Sequence, residues 1–124
     1  NFKIIEVNSS KTKKNNAIEI KKIESENILK NIKKNDLLFL LDEKGKNYDS
    51  REFAEFLKIK FQESKTIVFV IGGAFGFSKD LYSKSVGLIS LSRMTFSHQI
   101  IRLFFTEQLY RAFTILNNHP YHND

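Results

Sequence analysis

Ser90, Ser92, Thr95 and Ser97 crowd four hydroxyls into eight residues. They lie between a strand-like run and a long apolar helix, where hydroxyls and loop amides can hydrogen-bond a ligand's carboxylate or ribose. Equally, Thr95 or Ser97 can simply cap the helix. The two uses are compatible, because a helix start also receives a ligand anion. Met94 and Phe96 could wall such a pocket with apolar surface; by themselves they read as core. A second candidate is Ile71-Gly72-Gly73-Ala74-Phe75-Gly76, a strand running into a glycine turn. A glycine pair lets main chain approach a flat, adenine-like ring, and it also suits an ordinary tight strand-to-helix turn. No Gly-Lys-Ser/Thr follows, and the spacing departs from the dinucleotide fingerprint, with no acidic partner about twenty residues on. Two loops of this kind on one edge of a parallel sheet make a natural cofactor cleft.

A third group sits at the end of the chain: Glu107-Gln108-Leu109-Tyr110-Arg111-Ala112-Phe113, then His119-Pro120-Tyr121-His122. Imidazole suits acid–base work or phosphate donation near neutral pH, which makes His122 a candidate. Tyr121 offers a ring for base stacking and Arg111 a guanidinium for phosphate. Terminal His and Tyr are more often surface decoration. His98 reads as a helix-start residue, and Glu107 and Gln108 as dimer or core hydrogen-bonding groups. Nothing in the sequence forms a convincing metal-ligand cluster.

Alternating strand-like and helical runs must position these residues, which points to an α/β fold with a mostly parallel sheet and helices on both faces. We count five strand-like runs, among them Phe2–Val7, Asp36–Leu41, Thr66–Ile71 and Val86–Leu91. Ser9–Asn16 is a polar, lysine-rich loop. Ala17–Lys34 carries isoleucines and a leucine at helical spacing among charges. A turn containing Gly45 is expected over Asp42–Tyr48. Asp49 and Glu52 have capping-box spacing at the head of a helix reaching about Gln62. Ser78 can cap a short helix to about Ser83. The last helix, Ser97 to about Asn117, is apolar on most sides. Its stripe exceeds what one small sheet can cover, so a homodimer is expected, with Ile100, Phe104 and Phe105 in the interface.

The chain has 124 residues and no cysteine, enough for one domain with a moderate core. Disulfides and thiolate metal sites are excluded, and a cytoplasmic location is the natural reading. No apolar run approaches the ~20 residues of a membrane span, and the start lacks a secretory layout. The net charge of +6 is uneven: residues 1–34 hold nine lysines against four glutamates. That excess favours a polyanion such as RNA, although a lysine-rich composition can arise without one.

The order and wording of these segments resemble the RlmH family of ribosomal RNA methyltransferases, of the SPOUT class. The match spans roughly residues 36 to 122. It adds Leu40-Leu41-Asp42-Glu43-Lys44-Gly45-Lys46 and Glu52-Phe53-Ala54-Glu55-Phe56-Leu57 to the segments above. The resemblance implies a C-terminal trefoil knot, rare among folds, and S-adenosylmethionine held by three loops. Carried onto this chain, its cofactor residues are Leu41, Gly73, Leu91, Ser92, Arg93, Met94, Thr95 and Phe96. Arg111, Tyr121 and His122 then become the catalytic, RNA-facing group. The implied reaction is methylation of N3 of a pseudouridine in 23S ribosomal RNA, on the assembled ribosome. Family members usually begin with a further strand and helix of roughly thirty residues, so this single domain, 1–124, is expected to lack them. A non-catalytic RNA- or nucleotide-binding α/β module is the alternative, and a ligand-free dimeric structural domain the third reading.

Overall fold

A computed structural model describes residues 2–6, 17–63, 65–72 and 76–123. Eight elements follow in order: β1 (Phe2–Glu6), α1 (Ala17–Lys30), β2 (Leu37–Asn47), α2 (Ser50–Phe61), β3 (Ile67–Ile71), α3 (Lys79–Lys84), β4 (Gly87–Ser90) and α4 (His98–Leu116). The four strands form one parallel sheet in the order β1-β3-β2-β4. The four strand ranges named from the sequence all have counterparts, against an expected count of five, and the described residues hold four strands. The loop Ser9–Asn16 and Val7 lie outside the described residues.

Strands covered by helices on both faces are apolar at consecutive positions, and β2 and β3 follow that rule. Leu37, Phe39, Leu41, Ile67, Phe69 and Ile71 pack towards α2 and α4. The intervening Leu38, Leu40, Val68 and Val70 pack towards Ile28 of α1 and Leu81 of α3. The α2–α4 side is an aromatic layer, with Phe69 and Phe105 rings 4.9 Å apart and Phe39 and Phe56 5.0 Å apart, both edge-on. Such pairs add to plain burial.

The helix starts are those the sequence marks. Asp49 accepts from Glu52 N at 2.7 Å while the Glu52 carboxylate accepts from Asp49 N at 2.9 Å, closing the capping box. Ser78 caps α3 and Ser97 caps α4. The first helix ends at Lys30, short of the expected Lys34. Beyond it the Asp36 carboxylate accepts from Lys33 N at 2.8 Å, holding a turn in place of helix.

The largest departure is β2. A strand ending at Leu41 and a turn to Tyr48 are expected, but the strand runs on to Asn47 with an excursion inside it. Ile89 of β4 is the register partner of both Leu41 and Lys46, so residues 42–45 leave the ladder and the chain rejoins it at Lys46. Gly45 makes this possible. A Cβ there would lie 2.6 Å from the Leu88 carbonyl carbon and 2.7 Å from Ile89 N, both backbone atoms. Nothing flexible is available to move aside, so even one methyl must push β2 and β4 apart. Gly45→Ala is therefore expected to destabilise the fold by about 1–3 kcal/mol, read as a lower urea midpoint at unchanged slope. A midpoint equal to wild type would show that the contact relaxes freely.

Candidate functional site

Leu41, just before the β2 excursion, forms one row with Ile71 and Ile89 near the carboxyl ends of β3 and β4, since Leu41 pairs with Ile71 on one side and Ile89 on the other. The chain connections cross over at this edge, the place where open parallel sheets hold ligands. A cavity of about 540 Å3 opens above that row, within the roughly 300–1,000 Å3 range of small-molecule sites. Its apolar floor is Leu41, Ile71, Ile89 and Leu91. Asp42 and Glu43 stand on one side, and Ser92, Met94, Thr95 and Phe96 on another. Gly72, Gly76, Phe77 and the first turn of α4 (Ser97, His98 and Ile101) complete the lining.

The structure thus brings Leu41, Leu91, Ser92, Met94, Thr95 and Phe96 to one cavity, as their sequence positions suggest. Arg93 is exposed and does not line it. Gly73 lies outside the described residues, as do Ala74 and Phe75. At Gly72 the space a side chain would take is filled by the Phe77 ring, 2.6 Å from the position of a Cβ. Close packing of Phe77 accounts for that glycine. Asp42, Glu43, Phe77 and His98 are lining residues that sequence reasoning passed over. Asp42 and Glu43 stood within a segment expected to be a plain turn, and the excursion in β2 is what aims them inward.

Hydrogen bonds hold the walls. Asp42 accepts from the Tyr82 hydroxyl of α3 in a very short contact and from Lys44 N at 2.8 Å. Burial, with the Asp42 hydrogen bond added, pushes the Tyr82 phenol up to about 12. Thr95 donates to the Glu43 carboxylate at 2.6 Å, joining the β2 excursion to the loop after β4. Within that loop Ser90 donates to the Ser92 carbonyl at 2.7 Å, and Ser92 Oγ accepts from Met94 N at 3.0 Å. Ser90 is buried and does not line the cavity; its hydroxyl shapes the loop. Asn47, past the excursion, donates to both the Ser90 carbonyl and its hydroxyl at 3.3 Å. Among the described residues no group of His, Cys, Asp and Glu side chains could hold a metal.

Arg111, Tyr121 and His122 also come together, on a different part of the molecule. Arg111 donates twice to one Glu107 oxygen, at 2.8 and 3.1 Å, and its other nitrogen lies 3.0 Å from His122 Nδ1. Tyr121 donates to the same Glu107 oxygen at 3.1 Å, with the guanidinium 4.9 Å over its ring. The Glu107 carboxylate keeps the Arg111 guanidinium and the Tyr121 phenol protonated above their ordinary ranges. Glu107 thus organises the cluster, consistent with a hydrogen-bonding role. Tyr110 packs edge-on against Tyr121 at 4.8 Å, folding the tail back on α4.

A family described as predicted SPOUT methyltransferases matches residues 1–122. The chain belongs to that family. Its parallel sheet with helices on both faces is of the family's knotted α/β class. Similar proteins are called ribosomal RNA large subunit methyltransferase H. The one from Christiangramia forsetii is 50% identical over 114 residues, covering 91% of this chain and 73% of its own. Those from Flavobacterium psychrophilum and Parabacteroides distasonis are 58% and 53% identical, each covering over four fifths of this chain. The chain spans about two thirds of the length of these last two, 66% and 67%.

In this SPOUT methyltransferase the Tyr82–Asp42 pair ties α3 to the cleft wall. A phenol held above its unfolded value of 10.0 stabilises the fold fully below that pH, and the contribution is lost as pH rises through about 12. Tyr82→Phe is expected to remove the tyrosinate step near 12 from a spectrophotometric titration and to cost about 1 kcal/mol at neutral pH. A titration curve that keeps that step would assign it to another tyrosine.

Proposed function

We propose that this chain binds S-adenosylmethionine in the cleft over Leu41, Ile71 and Ile89 and methylates N3 of a pseudouridine in 23S ribosomal RNA on the assembled ribosome. The observation that carries this reading is the convergence of the Leu41 excursion, the Gly72 turn and the Leu91–Phe96 loop on one cavity at the carboxyl edge of the sheet. The residues present fit the cofactor. The apolar row and Leu91 make a floor for a flat ring, and Ser92 and Thr95 present hydroxyls. The start of the 19-residue α4 suits a carboxylate. Bound there, the cofactor supplies an electrophilic methyl on a sulfonium. The chain's own task is mainly to hold the reacting centres in line and to exclude water, so most of the acceleration comes from positioning.

Arg111, Tyr121 and His122 face the RNA in this reading. Arg111 is thirteen residues beyond His98 on α4, about 20 Å along the axis at ~1.5 Å per residue. Within one chain that distance separates the cluster from the cleft, so the tail serves the substrate, or the cleft of a second copy. A homodimer through α4 supplies that second copy. Ile100, Leu103 and Phe104 are exposed on the helix, Leu103 by 67%, and isolated apolar stripes of that kind mark contact surfaces. Phe105, expected in the interface, is fully buried against Phe69 and belongs to the core.

Methyl transfer from tritiated cofactor to ribosomes lacking the modification tests the reaction directly; no incorporation by a folded, cofactor-binding chain would leave the binding-module reading. Gly73→Val is expected to abolish cofactor binding in isothermal titration with an unchanged circular dichroism spectrum; normal binding would misplace the cleft. Deleting residues 121–124 is expected to keep cofactor affinity within a few-fold and cut transfer at least ~100-fold, the scale of a positioned acid–base group. An intact rate would return the tail to the surface. Light scattering at micromolar concentration should give a dimer that Leu103→Glu converts to monomer, and a monomeric wild type would exclude the proposed interface.

A further inference from the structure

The cleft carries an uneven charge that the methyl-transfer chemistry does not require. Its two carboxylates, Asp42 and Glu43, differ in how they are used. Both Asp42 oxygens are engaged within the protein, one by the Tyr82 hydroxyl and the other by Lys44 N. Glu43 has only Oε2 engaged, by Thr95 at 2.6 Å; Oε1 takes no hydrogen bond from the described residues. Among the described residues no lysine or arginine lines the cavity: Arg93 lies outside it, and so do Lys44 and Lys46 of the same excursion. The Thr95 contact also fixes where this charge sits, between two of the three walls. Glu43 therefore presents a located, incompletely compensated negative charge at the cavity's rim.

We propose that Glu43 is a specificity-determining residue that makes the cleft prefer a cationic sulfonium ligand over the neutral thioether left after methyl transfer. The proposal rests on the cleft being the S-adenosylmethionine site. The two ligands share every atom except the methyl and differ by one unit of charge, so shape and hydrogen bonding separate them weakly. A carboxylate held in the lining would favour the cation and would have little effect on the neutral thioether. Spent cofactor then leaves more readily than fresh cofactor. Because Glu43 is exposed, solvent screens the interaction and the preference is modest.

Isothermal titration of the full chain with S-adenosylmethionine, S-adenosylhomocysteine and sinefungin, which carries an ammonium group in place of the sulfonium, tests this. Wild type should bind both cationic ligands about five-fold tighter than the thioether at low salt, the scale of one screened charge pair, with the preference shrinking as salt is raised. Glu43→Gln keeps an acceptor for Thr95 and removes only the charge; it should bring the three affinities within about two-fold of one another. Thr95→Val removes the staple and keeps the charge, so most of the preference should survive. An unchanged ratio in Glu43→Gln overturns the proposal. So does a Thr95→Val variant that loses the preference as fully, which would reduce the pair to a loop tie. Equal binding of all three by wild type sinks the proposal and leaves the cofactor cleft standing; binding of none sinks the cleft reading itself.

Discussion

The close approach of Gly45 to the backbone of β4 governs the functional half of this molecule. Ile89 partners β2 twice, at Leu41 and again at Lys46, so residues 42–45 must leave the sheet between two pairings that are themselves fixed. The chain can return only because position 45 has no Cβ to meet the Leu88 carbonyl. Once that return is made, Asp42 and Glu43 have no choice of direction. One reaches Tyr82 on α3 and the other reaches Thr95 in the loop after β4. Three separate chain segments are tied together through a four-residue excursion.

The sheet beneath supplies the rigidity that such a cleft needs. Alternate residues of β2 and β3 enter two different apolar layers, so a register slip of one residue would exchange the layers wholesale. On the α2–α4 side, Phe39, Phe53, Phe69 and Phe105 interlock with ring separations between 4.9 and 6.5 Å. That layer anchors α4, whose first turn closes the cavity and whose later turns carry the Glu107–Arg111 cluster. One helix therefore serves both candidate functional regions while keeping them apart.

Much of this was legible in the sequence. The apolar runs Leu37–Leu41 and Ile67–Ile71 announce strands covered on both faces. Asp49, Ser78 and Ser97 announce helix starts through their own side-chain chemistry. Capping is local, needing only the next three residues, so spacing alone suffices to find it. The cleft loops were marked by hydroxyls and glycines at strand ends, although those residues also cap α4 and pack against Phe77. The resemblance to a known family then grouped Leu41 and Gly73 with Leu91–Phe96, and Arg111 with Tyr121 and His122; apart from Arg93, which lies off the cavity, and Gly73, outside the described residues, the members of each group lie together in space.

Distance in sequence marks where that legibility stops. Residues 42–48 look like a turn because five charged or amide residues surround Gly45, and nothing nearby shows that β4, over forty residues on, takes Lys46 and Asn47 back into the ladder. Asp42 and Glu43 become cleft residues only through that pairing, and Thr95 becomes a partner of Glu43 across 52 positions. Likewise the pattern of α4 marks it as apolar on most sides but cannot say which side meets the sheet, so Phe105, expected in the interface, lies in the core. Apart from the second half of β2, the chain alone determined which segments are strands, helices and caps, since those depend on neighbours a few residues away. Which side chains face the cavity, the core or solvent was decided by long-range strand pairing and by packing around Phe69, where the partners come from distant parts of the chain.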